Sequence, residues 1–282
     1  MTKAPFFIVG YERCGTTLLA AALDRHSRLA VPAETHFFTD VCPPHHAGQT
    51  AERQFMVAHF FRGFRTRDMG LDQEALLGRL KEVEPTWSNL FIEALGLYAK
   101  SKGKVRCGEK TPKHWRYLPE ILNLFPQSRA IWVVRDGRDA VASMMNMPWK
   151  AHNNMALHAM QWRYAMEKML SAECQFPGRI LRIKFEDLVT SPEGEVKRAT
   201  EFVEESFESR QLDFSVETGV VPEWEMEWKK GVFSAPDRSR IGAASRSLSP
   251  TALGLLNLLM GAMLTRLGYS STPALIESSA AG

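Results

Sequence analysis

Residues 10–17, GYERCGTT, have the spacing of a phosphate-holding loop: two glycines separated by four residues, then two hydroxyls. Nucleotide triphosphatases place a lysine after the second glycine, where it reaches the outer phosphates; Thr16 stands there instead. If the loop opens a helix, its backbone N–H groups and the positive helix end converge on one oxyanion, whatever its identity. Thr16 and Thr17 add hydroxyl donors, and Arg13 adds a forked, charged one. A glycine turn without a ligand satisfies the same short pattern. The deciding feature is IWVVRDGRDAVASMM, where Arg135 ends an apolar run and Ser143 follows eight positions later. Alone, Arg135–Asp136 and Arg138–Asp139 read equally well as exposed ion pairs of small energetic weight. Combined with the loop, they describe two separate anion grips, suited to a ligand with a phosphate group at each end.

Such grips need a sheet to carry them. Phe6–Val9, Leu29–Val31, Ala130–Val134 and the run RILRIKFEDL are short and apolar, the pattern of buried parallel strands. TTLLAAALDRHS, after the glycine loop, has helical spacing, so the loop joins a strand to a helix. Further helices are expected in ERQFMVAHFFRGF, LDQEALLGRLKEV and PTWSNLFIEALGLYAKSKGK, from about Asp136 or Gly137, and in SPEGEVKRATEFVEESF with Ser191 as N-cap. Strands alternating with helices predict an α/β protein of the P-loop type, three layers deep, its central parallel sheet covered by helices on both faces. In open sheets of this kind ligands sit beyond the carboxyl ends of the strands, where both grips fall.

The whole chain sets bounds. Its 282 residues, 45% of them hydrophobic, suffice for a sizeable core in one domain over residues 1–270, followed by a frayed Ser/Ala-rich tail at 271–282. A net charge of +3 suits an anionic small molecule as well as it suits nucleic acid and so decides little; no nucleic-acid partner is expected. The four scattered cysteines read as free thiols of a reducing compartment. The N-terminal residues lack a signal-peptide pattern and no apolar run reaches membrane-spanning length, so a cytoplasmic protein is expected. The longest candidate, Ala252–Leu264, is short and interrupted by Asn257; it reads as a buried helix or a homodimer contact. CPPHH offers Cys42, His45 and His46 without a second spaced pair, so no metal is expected.

GYERCGTTLL, AETHFF, EKTP, VVRDGRDAVASM and RIKFEDLVTSPE, in this order, resemble the sulfotransferases that use 3′-phosphoadenosine 5′-phosphosulfate (PAPS), with the bacterial and tyrosylprotein-type branch nearest. The similarity runs from Phe6 to Tyr269 and thins between Asp40 and Lys104. It implies sulfuryl transfer from PAPS to an acceptor hydroxyl, leaving 3′-phosphoadenosine 5′-phosphate (PAP). It also implies that Arg13, Cys14, Gly15, Thr16, Thr17 and Leu18 cradle the 5′-phosphosulfate, while Arg135 and Ser143 hold the 3′-phosphate. A sulfuryl group carries one negative charge where a terminal phosphoryl carries about two, which fits a loop without lysine or Mg²⁺. Glu34 falls at the family's base position, and a dry pocket would raise its pKa for that role. His36, on the same side of an extended segment, is the rival base, and His114 a third proton carrier. Lys110 matches a lysine that meets the bridging oxygen of the departing phosphate.

Departures from the family pattern carry expectations too. Glu12 must point away from the anion or pair with an arginine, Cys14 at an electropositive helix start is expected to be reactive, and Phe185 replaces a tyrosine hydroxyl. The segment FSAPDRSRIGAAS resembles the one that closes over the nucleotide, making Arg238, Ser239, Arg240 and Gly242 further contacts. The helical region 40–105 and the methionine-dense stretch around Trp149 should form the acceptor side, with an apolar or aromatic small molecule or peptide as acceptor. Met144, Met145, Met147, Met155, Met160, Met166 and Met169 read chiefly as helix core. Trp224 and Trp228 belong to a lid. The rival functions are a non-catalytic binder of adenosine bisphosphate, which needs neither Glu34 nor Lys110, and a P-loop kinase, which needs a lysine and Mg²⁺ ligands.

Overall fold

The computed structural model describes residues 4–147 and 154–270. Trp149 and the expected tail at 271–282 lie outside these residues. In chain order, strand β1 (Phe6–Val9) leads to helix α1 (Thr16–Asp24) and the two-residue strand β2 (Leu29–Ala30). Four helices follow: α2 (Arg53–Arg62), α3 (Phe64–Arg67), α4 (Gln73–Lys81) and α5 (Trp87–Ser101). Then come β3 (Arg106–Lys110), α6 (Leu118–Leu124), β4 (Arg129–Val134), α7 (Gly137–Met145), α8 (Met155–Gln175) and β5 (Ile180–Lys184). The chain continues with α9 (Phe185–Thr190), α10 (Pro192–Phe202), α11 (Met226–Lys229), α12 (Ala243–Ser247) and α13 (Pro250–Arg266).

The five strands form one sheet in the order β2-β3-β1-β4-β5, and every pairing is parallel. Alternate residues feed two cores. Phe7, Val9, Trp132 and Val134 enter one with α5, α8 and α13; Phe6, Ile8, Ile131 and Val133 enter the other with α1 and α10. Helices therefore cover both faces, as the alternation of elements requires. None of the helices among the described residues is long and apolar enough to cross a membrane.

Local details differ from expectation. β3, RCGEK, is not among the strands expected from the sequence, yet every one of its five residues is buried. Its Glu and Lys are tolerated because each meets buried partners, described below. The run RILRIKFEDL is a strand only to Lys184; Phe185, Leu188 and Val189, spaced i, i+3 and i+4, bury one face of α9 instead. Ser191 stands at the N-cap of α10 without a side-chain cap bond, leaving Pro192 in the first turn as the start signal. Along α13, Leu256, Met260, Met263 and Leu264 are buried while Leu258 is 82% exposed, so this helix is only half interior.

Candidate active site

The carboxyl ends of β1, β3 and β4 open on one cavity of about 730 Å³. Its floor is the glycine loop. A Cβ at Gly10 would lie 2.4 Å from the carbonyl oxygen of Val133, and one at Gly15 would lie 2.5 Å from the Phe185 ring. Gly15 also has φ +95°, so both positions exclude side chains. Gly15 caps α1 with no side-chain bond, and its first turn, Thr16 to Leu18, lines the cavity. The N–H groups of Thr16 and Thr17, which a helix start leaves without an intrahelical partner, are thereby presented to that space, while that of Leu18 donates to the Gly15 carbonyl at 3.1 Å.

Three guanidinium groups gather beside the loop. Arg13, in a left-handed conformation (φ 65°), donates from Nε to Ser143 Oγ at 3.1 Å. Arg135 donates to the carbonyls of Arg13 at 3.1 Å and Arg240 at 2.6 Å, and stacks over the Phe185 ring at 4.4 Å. Its Nε is buried and has no hydrogen-bond partner among the described residues. Asp139, 3.8 Å from Arg135, accepts from the backbone N–H groups of Gly242 and Ala244 and so ties the late segment to the grip. Burial and repulsion from Arg240 and Arg135 hold the Arg13 pKa below its ordinary value. Positive charge is concentrated here beyond what nearby carboxylates neutralise.

A second cluster surrounds Glu34, whose side chain is 10% exposed. Lys110 Nζ and Lys229 Nζ each lie 2.7 Å from Glu34 Oε1, and His36 Nε2 lies 3.2 Å from Oε2. Lys110 is completely buried and also reaches Thr17 Oγ1 at 3.4 Å, which links Glu34 to the glycine loop. Burial alone would raise the Glu34 pKa, but the ammonium groups of Lys110 and Lys229 win and hold the carboxyl well below its usual range. The expectation of a raised pKa is corrected: dryness is present, yet paired cations outweigh it. Burial pulls Lys110 down to about 8, against the attraction of Glu34.

Residues 5–209, nearly three quarters of the chain, match the profile of the Sulfotransferase family. The chain belongs to this family. It is 25% identical over 218 residues to protein-tyrosine sulfotransferase A of Caenorhabditis elegans, covering 74% of this chain and 52% of that protein. The chain thus spans about half the length of that relative. The fold superposes on the sulfotransferase domain of the Synechococcus PCC 7002 olefin synthase with a TM-score of 0.70, at 18% identity and covering 95% and 96% of the two chains. A mouse sulfotransferase crystallised with PAP superposes at 0.51, with 13% identity and coverage of 93% and 84%.

Within this sulfotransferase fold the residues singled out by sequence separate into two groups. Arg13, Gly15, Thr16, Thr17, Leu18, Glu34, His36, Arg135, Ser143 and Arg240 all line the cavity, with Lys110 directly behind its wall. His114 does not join them. It is fully buried, with Nδ1 2.8 Å from Glu109 and Nε2 accepting from the Phe38 N–H at 3.2 Å, which spends both ring nitrogens. Cys14 is buried outside the cavity, and desolvation pushes its thiol pKa up, so the expected reactivity is corrected. Arg238 donates to the Thr190 carbonyl, and the Ser239 hydroxyl to Asp237; both are exposed and neither lines the cavity. Gly242 contributes backbone only. Glu12 pairs loosely with Lys113 at 3.9 Å and not with an arginine.

Several residues escaped the sequence reading. Glu109, fully buried on β3, accepts from Thr35 and Thr111 as well as meeting His114. Thr111 in turn accepts from the His36 N–H, so this network anchors the backbone that carries Glu34. Lys229 and Glu225 come from the segment containing Trp224 and Trp228, all of which line the cavity. Met144 and Met147 line it as well; Met166 and Met169 are fully buried core, Met145 and Met155 pack against the core, and Met160 is 46% exposed. The methionine stretch therefore divides between core, cavity and surface.

Proposed function

We propose that the protein transfers the sulfuryl group of PAPS to an acceptor hydroxyl carried on an apolar or aromatic group. The observation that carries this reading is the Arg13–Arg135–Arg240 cluster, with Arg135 Nε buried and without a partner among the described residues, beside the Lys110–Thr17 contact at the wall of the same cavity. One cluster suits the 3′-phosphate, the other the 5′-phosphosulfate, and a buried donor without a partner is costly unless a ligand supplies the acceptor. PAPS, when bound, supplies the sulfuryl group; the chain's residues supply position and charge. Arg135 and Ser143 hold the ribose phosphate, and Thr16, Thr17 and the first-turn N–H groups of α1 hold the other end.

The acceptor oxygen forms a bond to sulfur as the bond between sulfur and the bridging phosphate oxygen breaks, and PAP leaves. Glu34, ionised at neutral pH, takes the acceptor proton. Both ammonium groups converge on Oε1, which leaves Oε2, shared with His36, as the oxygen facing the acceptor. An anion in the loop draws Lys110 toward Thr17, weakens its hold on Glu34, and so strengthens the base as the donor arrives. Lys110 then meets the negative charge growing on the departing phosphate. Met144, Met147, Trp224 and Trp228 form the apolar wall against which the acceptor rests.

The test is transfer from ³⁵S-labelled PAPS to a panel of phenols and alcohols, with and without EDTA. Labelled product that survives EDTA is expected. Binding of PAP without any transfer would favour a nucleotide sensor, and strict Mg²⁺ dependence would remove the metal-free scheme.

A further inference from the structure

Lys229 had no role in the sequence, where its neighbours Trp224 and Trp228 drew attention instead. In the structure it sits on α11, over the cavity, with its side chain only 10% exposed. Its ammonium lies 2.7 Å from Glu34 Oε1 and 2.6 Å from Glu225 Oε2. Glu225, itself 5% exposed, is 3.9 Å from Arg65 of α3. The neighbouring Trp224 donates to Asp68 at 2.9 Å, while the Arg65 guanidinium lies over its ring at 5.1 Å. Alternating charges thus run Arg65, Glu225, Lys229, Glu34, Lys110, from the apolar wall to the anion loop. Each neighbour in the row has opposite sign.

Two features set Lys229 apart from Lys110. Lys110 is rooted in β3, which is paired with β1 on one side and β2 on the other, and is held there whatever happens above it. Lys229 arrives on a one-turn helix in a segment of short turns, so its contact with Glu34 exists only while that segment lies over the cavity. A carboxylate with one anchored and one delivered ammonium has its orientation completed only when the cover is in place. We infer that Lys229 is a positioning residue for Glu34, delivered by the cavity's cover, that orients the carboxylate and links the base to the acceptor wall. The inference rests on the sulfuryl-transfer reading for its catalytic meaning, but the contact itself is testable without turnover.

The groups facing Glu34 are Lys110 from β3, Lys229 from α11 and His36 from its own segment; Arg13 acts on it from the loop, and Glu225 stands behind Lys229. Of the two ammonium groups, only Lys229 can be removed while leaving the sheet-borne frame intact. The experiment compares wild type, Lys229→Met and Lys229→Arg. It reads kcat/KM against pH with PAPS and a phenolic acceptor, and it follows the Glu34 carboxyl by ¹³C NMR titration of the glutamate-labelled protein, assigned with Glu34→Gln. Loss of the cation should move the acidic limb, and the Glu34 titration, upward by about one pH unit or more. Lys229→Arg should restore the wild-type position. A Lys229→Met profile that superposes on wild type, even with reduced kcat, overturns the inference, because a merely structural role lowers activity without moving the limb. If wild type turns over no PAPS, the functional reading fails while the NMR titration still decides Lys229: an upward shift supports it and an unchanged titration overturns it. Should the methionine variant fail to fold, Lys229→Gln makes the same comparison with a polar head retained.

Discussion

Replacing Arg135 with alanine separates the two jobs this side chain performs. Two of its nitrogens bond the carbonyls of Arg13 and Arg240, and Asp139 lies 3.8 Å away. Losing these contacts loosens the loop and the late segment, which weakens every adenine nucleotide alike. The Nε is different: it is buried without a hydrogen-bond partner among the described residues, and in the proposed complex a phosphate oxygen supplies the acceptor. A hydrogen bond between a guanidinium and a phosphate contributes about 1.5–3 kcal/mol. At about 1.4 kcal/mol per tenfold, that corresponds to roughly 10- to 150-fold in Kd. Calorimetric titration with PAP and with 5′-AMP therefore isolates it: both should weaken, and PAP should weaken by the further 10- to 150-fold factor of that calculation. Arg135→Lys, which keeps the charge and loses the fork, should fall between. Arg238→Ala, whose side chain bonds only the Thr190 carbonyl at the surface, should leave the ratio of the two affinities unchanged. Equal losses for PAP and 5′-AMP in Arg135→Ala would refute the assignment of the 3′-phosphate to this cluster.

Three further outcomes follow from the same geometry. Glu34→Gln should lower kcat by about 10²- to 10⁴-fold, the range for a lost general base, while PAP affinity by calorimetry stays level; full turnover would transfer the role to His36. Lys110, pulled down to about 8 by burial, loses its proton as pH rises through that value, so kcat should fall on the alkaline side there. Lys110→Arg, which stays charged, should remove that limb, and a limb that persists in the arginine variant assigns it to another group. Gly15→Ala places a Cβ at φ +95° and 2.5 Å from Phe185, and should cost about 2 kcal/mol or more in urea denaturation together with a loss of PAP binding; wild-type stability would show that the loop has another conformation available.

What sequence could and could not disclose divides along a physical line. Apolar runs and glycines report local necessities: Phe6–Val9 must be interior, and Gly10 must leave room for the Val133 carbonyl, so the loop and its sheet were legible. Arg135 and Ser143 both line the cavity because a strand end and the next helix hold them at a short, regular separation, although Ser143 bonds Arg13 and not Arg135. β3 was not, because its buried Glu109 and Lys110 look like surface residues until Thr35, His114 and Glu34 arrive from elsewhere in the chain. Lys229 meets Glu34 across 195 residues, a separation that no spacing rule can encode. The sign of the Glu34 shift depended on that same distant partner: burial, readable from its apolar surroundings, pushes one way, and two ammonium groups push harder the other way. Phe185 makes the point from the opposite direction. In sequence it counted as a missing hydroxyl; in the fold its ring supports the Arg135 guanidinium at 4.4 Å and occupies the space a side chain at Gly15 would need. An aromatic face there supports the guanidinium through cation–π contact and fills the space beside Gly15, two functions that a phenol oxygen does not supply. Phe185→Leu should consequently weaken PAP binding although no polar group is removed, whereas Phe185→Tyr should preserve it.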